Sequence, residues 1–210
     1  MSIFNEVSPE KALELLVQGN KRFISDKLKH PNRTGMRREA IKTTQKPFAI
    51  ILGCSDSRVP PEIIFDQGLG DLFIIRVAGN VTDAVGIDSI EYAANHLGSS
   101  IVLVLGHEKC GAVSAVITSQ ASDIPTIAKL IAPAVEKTRN IKGNHLVNAI
   151  TANINQVVEQ IQRTPVLTKL IEKKKLKIVG GYYHLETGKV DFLETHLIVA
   201  ASSAIHKALD

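Results

Sequence analysis

The sequence predicts an α/β fold: a mostly parallel central sheet of about four core strands flanked by helices, with an N-terminal helical arm. Two observations carry this. Four short segments, 48–53, 72–77, 101–106 and 176–181, are continuously apolar and rich in Ile, Val and Leu. That is the pattern of strands buried on both faces rather than of half-exposed ones. Stretches of helical pattern separate them, and strands alternating with helices build parallel sheets. At 210 residues, 44% of them hydrophobic, the chain can fill one sizeable core. A single domain over 1–210 is therefore expected, with 1–45 as the arm and 46–210 as the core.

The elements follow in order. Ser8-Pro9-Glu10 opens the first helix: Ser8 caps, Pro9 suits the first helical position, and Glu10 complements the dipole. Ala12, Leu15, Leu16 and Phe23 form one apolar stripe, which must pack on its own core or on a partner subunit. Residues 30–35 are polar, contain Pro31 and read as a loop, with a short helix over 36–43 to follow. Gly68 and Gly70 read as a turn before the second strand, and Gly79 and Gly86 as backbone turns. A helix over 83–97 is capped by Thr82 or Asp83 and stopped by Gly98. From 111 to 175 the pattern is mostly helical, with breaks near 122–123, 143–144 and 164–165. A final helix is expected over 194–209.

The net charge of +4 is modest. Basic residues cluster over 21–46 and 173–175, but no RNA-binding signature and no paired zinc-finger doublets accompany them. The clusters read as solvated faces, with no nucleic-acid partner. The N-terminus has no charged region followed by an apolar stretch, and no apolar run approaches the roughly 20 residues that span a bilayer. A cytoplasmic protein with no membrane partner is expected. In a reducing compartment two cysteines more often bind metal or react than form a disulfide.

Both cysteines, Cys54 and Cys110, sit just past predicted strands, and His107 directly follows the third of these strands. Open parallel sheets place their sites beyond the carboxyl ends of strands, so Cys54, His107 and Cys110 are expected to be neighbours. His107 and Cys110 are three apart, and a helical turn would put both on one face. Two thiolates and a neutral imidazole cancel the charge of Zn²⁺ and leave a fourth position open, as in catalytic zinc sites. A water there would be acidified toward a pKa of about 7, against about 15.7 in bulk. Asp56 and Arg58, two apart in an extended segment, would point to the same side and pair through the bidentate fork of Arg58. Held by Arg58, Asp56 would orient a zinc-bound hydroxide; released, it would be a fourth ligand that closes the site. Activity would then rise with pH near neutrality.

Four runs carry a family resemblance: Cys-Ser-Asp-Ser-Arg-Val-Pro-Pro-Glu at 54–62, Gly-Asp-Leu-Phe-Ile-Ile-Arg-Val-Ala-Gly-Asn at 70–80, Ser-Ile-Glu-Tyr at 89–92 and Gly-His-Glu-Lys-Cys-Gly-Ala-Val at 106–113. In this order, and with Gly180-Gly181-Tyr182-Tyr183 and Glu186-Thr187-Gly188 as a last strand and hairpin, the chain resembles the β-class carbonic anhydrases over roughly 8–205. The resemblance implies one Zn²⁺ per subunit on Cys54, His107 and Cys110, and a catalytic pair at Asp56 and Arg58. It also implies a substrate pocket lined by Gln45, Phe73, Ala78, Tyr92 and Gly111, with Gln45, Phe73 and Tyr92 reaching across a dimer interface. His96 matches a position for proton transfer. Carbon dioxide and bicarbonate would be the substrate pair, and self-association would give a dimer or tetramer. One subgroup binds inhibitory bicarbonate through a Trp three residues before the first ligand; Ile51 stands there in this chain, while Tyr183 matches another part of that site. Two readings stand beside this one: hydrolysis of carbonyl sulfide or carbon disulfide on the same scaffold, and a non-catalytic module with structural zinc.

Overall fold

Two strands at the centre of the molecule, β1 (Ala49–Gly53) and β3 (Ile101–His107), are buried at every residue. They pair in parallel, and β2 (Leu72–Arg76) and β4 (Lys177–Tyr183) extend the parallel sheet on either side. The computed structural model describes residues 7–193. The four expected core strands are present, each to within two residues of its predicted bounds. A fifth, β5 (Val190–Leu193), folds back antiparallel on β4 and completes the order β2-β1-β3-β4-β5. The helix expected over 194–209 lies outside the described residues.

Successive strand residues point to opposite faces, and each face has its own core. On one face Ile51, Leu103, Leu105 and Val179 pack with Phe65 and with Ala12 and Leu16 of α1 (Pro9–Ile24). On the other, Ile50, Leu52, Val102, Val104 and Ile178 pack with residues of α4 (Ala84–Asn95), α6 (Pro125–Thr138), α7 (His145–Gln162) and α8 (Pro165–Glu172). The result is a three-layer α/β arrangement. The breaks predicted near 143–144 and 164–165 fall at the starts of α7 and α8. The break near 122–123 separates α5 (Gly111–Ile117) from α6.

Ser8 caps α1, its hydroxyl accepting from the Lys11 N–H at 3.2 Å. Within the apolar stripe of α1, Ala12 and Leu16 are buried in the chain's own core and Phe23 packs half-buried against it, while Leu15 stays half-exposed. Contact is close enough that a Cβ on Gly19 would lie 1.8 Å from the Phe65 carbonyl oxygen. Buried Asn20 fastens the helix at both ends of its amide: Nδ2 donates to the carbonyls of Ile64 and Gly188, and Oδ1 accepts from the Val190 N–H. Residues 35–41 form α2 (Gly35–Ile41), close to the short helix expected, and a single turn, α3 (Pro61–Ile64), leads into Phe65. Asp83, not Thr82, caps α4, accepting from the N–H groups of Val85 and Gly86. Gly86 is therefore inside the helix rather than at a turn, and the helix is closed off before Gly98 at φ +74°. Among the described residues no helix is long and apolar enough to cross a membrane.

The basic stretch 21–46 serves partly to tie the chain to itself. The Asp66 side chain is inaccessible to solvent and accepts from Arg22 Nε and from the backbone N–H groups of Lys29 and His30. Arg37 pairs with Asp71 at 3.3 Å. Burial, the largest influence on Asp66, pushes its carboxyl up, but these donors outweigh it and hold the pKa below the ordinary value. A carboxylate with a depressed folded pKa stabilises above its unfolded pKa of about 3.9, and that contribution is lost as pH falls through the folded value. Asp66→Asn is expected to destabilise the protein by about 2–3 kcal/mol at neutral pH. Urea unfolding should show this gap from wild type shrinking toward about pH 3.

Candidate metal centre

β1 and β3 run side by side with Gly53 opposite Leu105, so the residues that leave their carboxyl ends emerge together. Cys54 is the first residue after β1, His107 ends β3, and Cys110 is the N-cap of α5. All three are buried, and one ligand atom from each falls within 4.8 Å of the others. The expected neighbours are therefore together, but not through the expected helical turn. Lys109 adopts φ +54°, and this left-handed residue swings Cys110 back beside His107 before α5 begins.

Glu108 fixes that turn from three directions. Its N–H donates to the Tyr183 carbonyl at 2.8 Å, its carboxylate accepts from the Leu185 N–H at 3.0 Å, and its carbonyl lies 2.8 Å from His107 Nδ1. A nitrogen facing a carbonyl must carry the proton, so Nδ1 is the donor and, in the neutral imidazole that binds a metal, Nε2 keeps the lone pair. Nε2 is buried and has no hydrogen-bond partner among the described residues. An imidazole whose far nitrogen is tethered to a carbonyl and whose near nitrogen is free, set against two thiols, fits a borderline-soft dication such as zinc.

The electrostatics agree. The Cys54 and Cys110 sulfurs face one another, and this proximity draws the Cys54 pKa well down and pushes that of Cys110 up, since a second negative charge would face the first. Burial, the largest influence on His107, lowers its pKa, but the nearby Cys54 sulfur, the Glu108 carbonyl and the Asp56 charge together overcome it and hold it above the ordinary imidazole value. The cluster thus shares protons where a cation would displace them.

Asp56 and Arg58 pair as expected, by a different backbone. Residues 56–59 form a turn, with the Val59 N–H on the Asp56 carbonyl at 3.0 Å and the Arg58 N–H on Asp56 Oδ1 at 2.9 Å. Arg58 then closes a fork, Nε to Oδ1 at 2.9 Å and Nη2 to Oδ2 at 2.7 Å. The guanidinium holds the Asp56 carboxyl well below the usual carboxylate range. Asp56 Oδ2 lies 3.9 Å from His107 Nε2, so the forked carboxylate stands beside the ligand cluster.

One residue of this loop escaped sequence reasoning. Arg76 ends β2 opposite Gly53, and donates from Nε to the Cys54 carbonyl at 2.9 Å and from Nη2 to the Asp56 carbonyl at 2.6 Å. Its signal was available: a lone cation at the carboxyl end of an apolar strand, level with the residue before Cys54.

The remaining expected residues divide into two groups. Ala78 lies half-buried on the 3-10 turn Ala78–Asn80, whose Gly79 N–H touches the Cys54 sulfur at 3.2 Å, and Gly111 directly follows Cys110. These two adjoin the cluster. Phe73 pairs with Ile50, low on the sheet, and its ring is 6.5 Å from that of Tyr92, which is 5.5 Å from that of His96. Tyr92 is 49% exposed, and Gln45 and His96 are also exposed. These four form part of the outer surface of β2, α4 and the loop before β1. Ile51 is packed in the sheet core, and Tyr183 lies level with His107 on β4.

Comparison with known proteins points in one direction. A family model described as carbonic anhydrase matches residues 49–190. The chain is 36% identical over 197 residues to a carbonic anhydrase of Mycolicibacterium smegmatis, covering 90% of this chain and 95% of that protein. It is 35% identical over 189 residues to carbonic anhydrase 2 of Mycobacterium tuberculosis, covering 87% and 91%. In fold it resembles the β-carbonic anhydrase CcaA with a TM-score of 0.69 at 24% identity, over 87% of this chain and 95% of that one.

Proposed function

The chain belongs to the β class of the carbonic anhydrase family, and on that premise we propose that it interconverts carbon dioxide with bicarbonate and a proton, using one zinc per subunit on Cys54, His107 and Cys110. The observation that carries this reading is the Arg58 fork on Asp56 beside His107 Nε2. A structural zinc takes four protein donors and has no use for a carboxylate restrained next to three of them. Arg58 keeps both Asp56 oxygens engaged, which favours an open fourth position.

When bound, zinc would supply a Lewis acid that brings the pKa of a water to about 7. The protein's own groups do the rest. Asp56 remains ionised through the neutral range, so it acts only as an acceptor and can fix the direction of a reacting water by taking its hydrogen bond. Arg58 restrains Asp56 from closing on the cluster. Arg76 sets the height of both by gripping the carbonyls of Cys54 and Asp56. Exposed His96, at the end of α4, is suited to pass the released proton to buffer.

Ala78 and Gly111 would border the reacting carbon, whereas Gln45, Phe73 and Tyr92 would complete the pocket of a second copy in a dimer or tetramer. Support comes from the half-buried apolar residues of edge strand β2 and from exposed Tyr92 and Val85 on neighbouring α4. The unit of this assembly would be one domain, 46–210, with 1–45 as its helical arm. Two thiol ligands suit a reducing, cytoplasmic setting.

The test is zinc content, solution mass and carbon dioxide hydration by stopped flow on one preparation. One zinc per chain, a dimeric or larger mass and turnover that rises with pH are expected. Metal-replete protein without hydration at any pH from about 7 to 9 would overturn the activity.

A further inference from the structure

The Cys54 sulfur accepts a hydrogen bond from outside the ligand set, the Gly79 N–H at 3.2 Å. Gly79 sits at φ +72°, ψ 15°, a left-handed conformation that glycine adopts without penalty. A side chain there would also meet Ile131 Cδ1 at 2.7 Å and Ala112 Cβ at 3.3 Å. One bond closes the turn around it, the Asn80 N–H on the Val77 carbonyl at 2.8 Å. Its carbonyl is anchored as well: Asn153 Nδ2 donates to it at 2.8 Å.

Asn153 lies midway along α7, fully buried in the core between that helix and the sheet. Its Oδ1 has no partner among the described residues. Burying an amide with most of its hydrogen-bonding capacity unused is costly where an apolar side chain of similar volume would pack without loss. Among the described residues the one bond this amide makes is the one to Gly79. An N–H aimed at a thiolate stabilises the anion and draws charge from the sulfur.

We propose that Asn153 is a positioning residue of the metal centre: it holds Gly79 so that the glycine N–H stabilises the Cys54 thiolate. It acts through Gly79 and touches neither metal nor substrate. This inference rests on the reading of Cys54 as a zinc ligand.

Cobalt(II)-substituted protein tests it, through the thiolate-to-cobalt charge-transfer band, together with zinc affinity measured by chelator competition. Asn153→Leu is expected to move the band to longer wavelength and to weaken zinc binding by about 10- to 100-fold, the range for loss of an outer partner of a ligand. Asn153→Ala removes the donor without adding a bulkier or ionisable side chain and gives the same comparison should the leucine variant not fold. Ile150→Ala, on the same helix and in the same core, lowers the urea midpoint but should leave band and affinity at wild-type values. An unchanged band and affinity in a folded Asn153 variant would overturn the role of Asn153 alone. So would an Ile150→Ala protein that weakens as much. Wild-type protein with no charge-transfer band would remove Cys54 as a ligand, and both readings with it.

Discussion

Cys110→Ser is expected to fold normally, to retain almost no zinc after dialysis and to show no measurable carbon dioxide hydration. The substitution separates the two roles of this position. Cys110 is the N-cap of α5 and makes no capping hydrogen bond with its side chain. Serine is among the preferred N-cap residues, so the helix start should be preserved or slightly strengthened. What is lost is a buried thiolate donor. Three protein donors leave no spare one, so the loss of affinity should exceed the about 10- to 100-fold typical of an outer partner. Metal analysis beside thermal unfolding of the same sample reads both effects. Full zinc content in the variant would remove Cys110 from the ligand set, and a collapsed fold without metal would make the zinc structural.

Asp56→Asn is the second large effect. It keeps zinc, because Asp56 is held by Arg58 rather than by the ligand cluster, and is expected to lower kcat/KM by about 100- to 1,000-fold, the scale for loss of one preorganised polar group. The pH profile separates this from a simple ionisation effect. The Arg58 fork keeps the Asp56 pKa low, so Asp56 is already charged well below neutrality and cannot be the source of activity that rises near pH 7. The variant should therefore lose height throughout the profile rather than shift its rising limb by removing a titrating group. Stopped-flow rates across neutral pH on zinc-quantified protein provide the check, and wild-type rates in the variant would end the orienting role of Asp56.

How far these residues could be read from sequence depends on the range of the interaction. The four core strands were legible because burial on both faces writes an unbroken apolar run. The meeting of Cys54 with His107 and Cys110 was legible because parallel sheets gather their carboxyl ends. The Asp56–Arg58 pair was legible because its partners are two residues apart. The backbone of each motif was not, since the positive φ of Lys109 and the turn over 56–59 are local choices that residue type only weakly constrains. Arg76 and Asn153 reach the site from distant elements, through bonds to backbone carbonyls that any residue could offer. Strand β5, four residues long with one of them buried, was too short to announce itself by its own pattern, and only the resemblance, with its hairpin at 186–188, implied a return there. That Ala12 and Leu16 turn to the chain's own core, with Asn20 beside them bonded to Ile64 and Gly188, is a matter of tertiary placement.

The central pairing of β1 with β3 also sets an order of events during biogenesis. Cys54 and His107 belong to strands that become neighbours only when a non-local parallel pair has formed, which is a slow kind of contact to make. On the proposed ligand set, zinc would have no complete cradle on a nascent chain until β3 has docked and Cys110 has followed it. Metal capture should be a late acquisition by a nearly finished fold, and its rate a clock for completion of the central sheet.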